Sequence, residues 1–210
     1  MTERLYDADA YRFEFSATVL SCSPATGGWQ VVLDRTAFFP EGGGQDGDLG
    51  TLDDAKVLDT QICDGIVSHL TDAPFAVGQT VVGKVDAVER FRRMQNHSGE
   101  HIVSGIVHST FGFENVGFHL GEREMTMDYD GELSSEDLRA VEDAANRAVW
   151  ENREIFCRYP SAEELSQMTY RSKKELQGDI RIVTVDGIDT CACCAPHVKR
   201  TGEIGGIYIL

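Results

Sequence analysis

Between residues 11 and 85, short runs of apolar and β-branched positions alternate with turns rich in Gly, Pro and Asp. FEFSATVLSC, WQVVLDR, AKVLDTQIC, IVSHL and TVVGKVD have the length and composition of strands, and they predict a small all-β barrel or meander. The period changes at Asp86. Asp86 and Glu89 stand at capping-box spacing, and a helix is predicted to run through His97 and His101 to about Thr110, with Gly112 as its stop. FHLGEREMTMDY reads as a hairpin. Ser134 or Ser135 opens an amphipathic helix with Leu138, Val141, Ala145 and Val149 on one face. A strand EIFCRY, a short helix near 161–168, a strand RIVTVD, a Cys/His loop and a last strand GGIYIL complete the chain. The predicted class is α+β, with a β-barrel domain over 1–86 and an α+β domain over 87–210 and no flexible linker between them.

Composition narrows the setting. The 210 residues are 41% hydrophobic, enough for one large or two small ordinary cores. No apolar run approaches the ~20 residues of a membrane span, and MTERLYDADAYRFEF is charged where a signal peptide is apolar, so a soluble cytoplasmic chain is expected. Three of the six cysteines crowd into 191–194 and the rest are scattered, which suits reduced thiols better than a disulfide framework. A net charge of −16 argues against a protein that coats a phosphate backbone, so any nucleic-acid contact must be local. The basic residues do cluster, as Arg90, Arg92 and Arg93, as Arg171, Lys173 and Lys174, and as Lys199 and Arg200. Each group fits a solvated face as well as a docking patch.

The residues with most chemistry are His97 and His101 in NHSGEH and Cys193 and His197 in CCAPH. On a helix the i, i+4 spacing puts both imidazoles of the first pair on one face, within reach of one ion. Pro196 excludes a helix for the second pair, which is expected to converge from a tight loop. Imidazoles with a thiolate form a soft-to-borderline donor set that favours zinc over magnesium or calcium. Cys191 and Cys194 offer alternative thiolates. HSGEH also fits H-x-x-E-H, a zinc-peptidase pattern with Glu100 as base and a further carboxylate such as Glu122, Glu124 or Glu142 as ligand. A helical neighbour of a ligand points about 100° away from it, which favours a solvated or structural Glu100. A second segment, TAFFPEGGGQDGD, presents three glycines and Gln45, either as a plain hairpin tip or as a loop whose exposed amides meet a ligand.

Together these segments resemble the alanyl-tRNA editing proteins, free-standing relatives of the editing domain of alanyl-tRNA synthetase, over most of the chain. The resemblance rests on Pro40 to Gln45, on Arg90 with His97 and His101, and on Cys193 to His197 continuing through Val198, Thr201, Gly202, Glu203, Ile204 and Gly205. It implies a β-barrel joined to an α+β editing domain of the threonyl/alanyl-tRNA synthetase additional-domain type. It implies zinc as cofactor and hydrolysis of mischarged tRNA(Ala), chiefly Ser-tRNA(Ala) and also Gly-tRNA(Ala). The acceptor end of that tRNA would meet Arg90, Arg92, Arg93, Lys199 and Arg200, with Gly42, Gly43, Gly44 and Gln45 near the terminal nucleotides. Ser98, Gly99 and Glu100, Cys194 to Pro196, and Asn115 and Phe118 of NVGFHL depart from the family pattern at positions that line its pocket.

The chemistry is coherent without the name. An apolar pocket for alanine discriminates only about a hundredfold against an added hydroxyl, so a second, hydrolytic site is needed. Ser98 and Asn115 are the polar candidates for recognising serine there, because desolvating them without a partner penalises alanine. A zinc with four protein ligands is coordinatively closed, and the sequence does not choose a water-activating group.

Overall fold

The computed structural model describes residues 2–121, 124–172 and 180–210. Glu122, Lys173 and Lys174 lie outside these residues. The chain divides into two compact units, 1–92 and 93–210.

The first unit begins with β1 (Glu3–Arg4) and α1 (Leu5–Ala8), continues through β2 (Glu14–Ala25), β3 (Gly28–Leu33), β4 (Arg35–Thr36), β5 (Gly50–Leu52), β6 (Ala55–Cys63), β7 (Ile66–Thr71) and β8 (Thr80–Val85), and ends in the first turns of α2 (Ala87–Phe111). Six strands pair in the order β2-β3-β7-β6-β5-β8, and β8 returns to β2, making a closed barrel without free edges. Alternate residues of β2 (Phe15, Ala17, Val19) and of β8 (Val81, Val85) point inward with Val31, Leu33, Phe38, Leu52 and Val57. Gly83 interrupts that inward row because a Cβ there would lie 2.4 Å from the Phe15 ring.

The barrel core also encloses His69, fully buried between Thr36 and Val31. Its Nδ1 donates to the Val31 carbonyl at 3.1 Å and its Nε2 accepts from the Thr36 hydroxyl at 2.9 Å, an assignment that satisfies the neutral ring. Burial drives the pKa down from 6.5 to about 4, against the smaller opposing effect of the Val31 bond. A depressed histidine is protonated in the unfolded chain before the folded one, so stability is full above pH 6.5 and falls as pH drops toward 4. The shift corresponds to a loss of about 3 kcal/mol. Urea midpoints between pH 7 and pH 4 should show that loss, and His69→Gln should flatten it.

The predicted boundary lies at the change of period, whereas the observed division falls inside α2. Asp86 Oδ1 caps the helix by accepting from the amides of Val88 and Glu89, at 3.1 and 3.0 Å. Arg90, one turn on, is anchored among barrel residues, which is why these first turns belong to that unit. The helix ends at Phe111, followed by Gly112 at φ +75.

The second unit contains the rest of α2, an antiparallel hairpin of β9 (Asn115–Leu120) and β10 (Met125–Tyr129), α3 (Ser135–Trp150), β11 (Ile155–Arg158), α4 (Ala162–Gln167), β12 (Ile182–Val185) and β13 (Asp189–Ala192). The last three strands form one antiparallel sheet in the order β11-β12-β13. Ser134 caps α3 in a reciprocal box with Asp137, and Val141, Ala145, Ala148 and Val149 form its buried face. The expected strand at GGIYIL does not form. Asn146 of α3 accepts from the Ile207 amide at 2.9 Å and donates to its carbonyl at 2.7 Å, and Glu142 accepts from the Ile209 amide, so side chains of a helix take the place of a neighbouring strand. None of the six cysteines is in a disulfide. Among the described residues no helix is long and apolar enough to cross a membrane.

Candidate metal centre

The middle of α2 carries His97 and His101 on one face, and the loop after β13 brings Cys193 and His197 to the same place. The ligand atoms of the four residues lie within 4.8 Å of one another. Cys193 Sγ is 3.5 Å from Nε2 of both His97 and His197. Tetrahedral coordination with metal–sulfur and metal–nitrogen bonds of about 2.3 and 2.05 Å places neighbouring donors about 3.6 Å apart, so this spacing is that of a coordination polyhedron. The three histidines are nearly inaccessible, at 1, 2 and 4% exposure for His97, His101 and His197. Burial beside Cys194 pushes the Cys193 thiol well above its ordinary pKa, so a cation is needed to hold it as thiolate.

Outer contacts fix how the imidazoles face. Asp189 Oδ2 lies 2.8 Å from His101 Nδ1, and Ser98 Oγ lies 3.1 Å from His197 Nδ1, so both rings turn Nε2 inward. Arg171 clamps Asp189 through Nε to Oδ1 at 2.8 Å and Nη2 to Oδ2 at 3.0 Å. Burial opposes the charge on Asp189, but the bonds from His101 and Arg171 outweigh it and hold the carboxyl at about 2. Gly105, one turn after His101, permits the close approach of α2 to this strand, since a Cβ there would lie 2.7 Å from the Ile188 carbonyl oxygen and 2.8 Å from Asp189 Cβ.

A second network surrounds Glu100. The residue is fully buried rather than solvated. Its Oε1 accepts from Ser104 Oγ at 2.7 Å and Asn115 Nδ2 at 2.8 Å, and its Oε2 lies 3.9 Å from His101 Nε2. Asn115 Nδ2 also donates to Ser104 Oγ at 2.9 Å, while its Oδ1 accepts from the Gly117 amide. The Tyr129 hydroxyl is 3.1 Å from Ser104 Oγ, and burial raises its pKa to about 12. On the other side, the Phe118 ring packs with its centroid 4.8 Å from that of His97.

Residues 13–89 match the family of class II (A) tRNA synthetases, and residues 180–210 match the second additional domain of threonyl and alanyl tRNA synthetases. The alanyl-tRNA editing protein of Mus musculus is 33% identical over 223 residues, covering 98% of this chain and 54% of that protein. The chain is similar along almost its whole length to alanyl-tRNA editing proteins. The alanine–tRNA ligases of Ignicoccus hospitalis and Halobacterium salinarum align with all of it, at 31% and 36% identity over 24% of their own lengths. The chain therefore spans about half of the editing proteins it matches and a quarter of the ligases.

The residues expected to meet nucleic acid divide. Arg90 is fully buried, with Nε 2.8 Å from Asp48 Oδ2, Nη1 on the Ala10 carbonyl and Nη2 on both Asp48 and the Ala37 carbonyl. It is a strut of the first unit and has no surface to offer a phosphate. Arg93 is 7% exposed, and Arg171 is the clamp on Asp189. Arg92 is partly accessible but held by Glu89 at 2.7 Å, whereas Lys199 and Arg200 are exposed. In the glycine loop, Gly42 and Gln45 bond each other's backbone across a two-residue turn with Gly43 and Gly44 at φ +65 and +82. Gln45 is 1% exposed, which leaves Gly43 and Gly44 as the accessible part. Ser98 and Asn115, the expected serine readers, are buried in the ligand-orienting and Glu100 networks.

Proposed function

We propose that the chain is a zinc-dependent aminoacyl-tRNA deacylase, a trans-editing enzyme that hydrolyses misacylated tRNA(Ala) bearing serine or glycine. The observation that carries this reading is the convergence of His97, His101, Cys193 and His197 in a chain related to editing proteins along its length. Three imidazoles and a thiolate at tetrahedral spacing fit zinc and no hard, oxygen-seeking cation. Bound there by four protein ligands, zinc would supply Lewis acidity beside the ester only where one ligand gives way or a fifth position opens. Asp189 and Ser98 hold the ligand rings in one tautomer, and Glu100 is held beside His101 by Ser104 and Asn115. The reaction adds water across the ester: the carbonyl carbon gains a hydroxyl, its bond to the ribose oxygen breaks, and that oxygen leaves with a proton. Lys199 and Arg200, exposed in the second unit, would take phosphates of the acceptor end there, while Arg92, Gly43 and Gly44 are candidates within the first unit.

A peptidase of the H-x-x-E-H type needs a carboxylate as third ligand. Among the described residues the group that joins His97 and His101 is completed by Cys193 and His197, and Glu142 is engaged with the Ile209 amide. Both findings favour deacylation. The test is incubation of zinc-loaded protein with Ser-, Gly- and Ala-tRNA(Ala), together with metal analysis of His97→Ala and Cys193→Ala. Selective release of a non-cognate amino acid is expected. Zinc affinity should fall by more than about tenfold in either variant, the scale already typical of outer-shell changes. Turnover of peptides in place of any aminoacyl-tRNA would overturn the assignment.

A further inference from the structure

The four ligands come from two kinds of backbone. His97 and His101 are fixed by the turns of α2, whereas Cys193 and His197 stand in a stretch, 193–198, that is neither helix nor strand. A loop satisfies few of its own backbone groups, so its ligands are preorganised only where something outside it fixes the chain.

Arg181 meets that need at one end of the loop. β12 and β13 pair Ile182 with Ala192, and the ladder runs one step further, with the Cys193 amide donating to the Arg181 carbonyl at 3.0 Å. Arg181 therefore stands directly across from Cys193, and opposite residues of an antiparallel pair send their side chains to the same face. The next positions on that face, Val183 opposite Cys191 and Val185 opposite Asp189, are buried. A guanidinium at the end of this apolar row, 7% exposed, requires acceptors. Its Nη1 donates to two, the carbonyls of Cys193 at 3.0 Å and of Ala195 at 2.8 Å. Both belong to the ligand loop. At the far end Ser98 Oγ accepts from the Val198 amide at 3.2 Å, and Pro196, between these anchors, has no N–H to contribute.

We infer that Arg181 is a positioning residue of the metal centre: by holding two carbonyls of the loop from the neighbouring strand, it sets Cys193 and His197 at ligand spacing before the ion binds. This rests on the metal centre of the deacylase reading and is independent of which acyl group is removed. A second positive charge beside a metal ion brings no attraction of its own. What the loop requires is the planar, fixed pair of N–H groups on one guanidinium nitrogen.

The test uses the full chain carrying Arg181→Met or Arg181→Lys. Chelator competition gives zinc affinity, and urea unfolding of chelator-treated protein gives stability without metal. Cobalt(II) in place of zinc reports Cys193 through the thiolate-to-cobalt charge-transfer absorption. Arg181→Met should lose about 10- to 100-fold in zinc affinity, the range for residues that orient ligands, together with most of the thiolate band. Arg181→Lys retains a donor without the planar pair and should fall between, which also gives a reading should the methionine variant not fold. Parent-like affinity and thiolate band in the variants, with only the metal-free stability lowered, would make Arg181 a structural donor alone and overturn the inference while the centre stands. A parent that binds neither zinc nor cobalt would overturn the centre as well.

Discussion

Replacing Arg90 with alanine should destabilise the protein by about 3–5 kcal/mol, a large part of the ~5–15 kcal/mol that holds an ordinary domain together. Asp48 is 2% exposed, and its Oδ2 receives Nε and Nη2 of Arg90 along with the Phe39 amide. Without the guanidinium, the carboxylate stays buried with the Phe39 donor and loses its counter-charge. The carbonyls of Ala10 and Ala37 lose donors as well. Exposed pairs such as Arg153 with Glu151 are worth about 0–1 kcal/mol, so burial sets the size of the effect. Urea unfolding measures it. A phosphate-binding Arg90 gives the opposite pattern, with unchanged stability and a shallower salt dependence of tRNA binding by about one contact.

Arg90 shows why part of the site was hidden in the sequence. A basic cluster at the start of a helix looks the same whether it faces solvent or a carboxylate, and Asp48 is 42 positions away in a glycine-rich segment of no regular period. Spacings set by one element were legible. The four-residue interval of His97 and His101 follows from the helical turn, and Pro196 correctly placed Cys193 and His197 in a loop. The apolar runs between turns likewise showed the strands of the first unit. Choices made between distant elements were not legible. GGIYIL has the residues of a strand, but Asn146 and Glu142 reach its backbone first. Asp189–Ala192 is a strand without a β-branched run, held by pairing with β12. Ser98 was readable as a polar residue beside a ligand, yet only the fold shows its hydroxyl turned toward His197.

The same limit concealed Asp189, 88 positions from the histidine it orients. Asp189→Asn should weaken zinc binding by about 10- to 100-fold, measured by competition with a chromogenic chelator. The amide retains one acceptor oxygen where the carboxylate supplied two, and His101 Nδ1 and Arg171 both depend on them. One donor must then face an N–H group. If that donor is His101, the ring is free to flip and the inward presentation of Nε2 is lost. In either arrangement Arg171, whose side chain is 8% exposed, loses its charged partner, because the amide is neutral. That loss costs about 3–5 kcal/mol even in metal-free protein. Chelator-treated protein separates the two effects, because the lost ion pair lowers apo stability whereas ring misorientation lowers zinc affinity. Arg171→Met in the same background removes the buried cation and should recover stability while leaving affinity low. Zinc affinity equal to the parent's in Asp189→Asn would mean that packing alone orients His101.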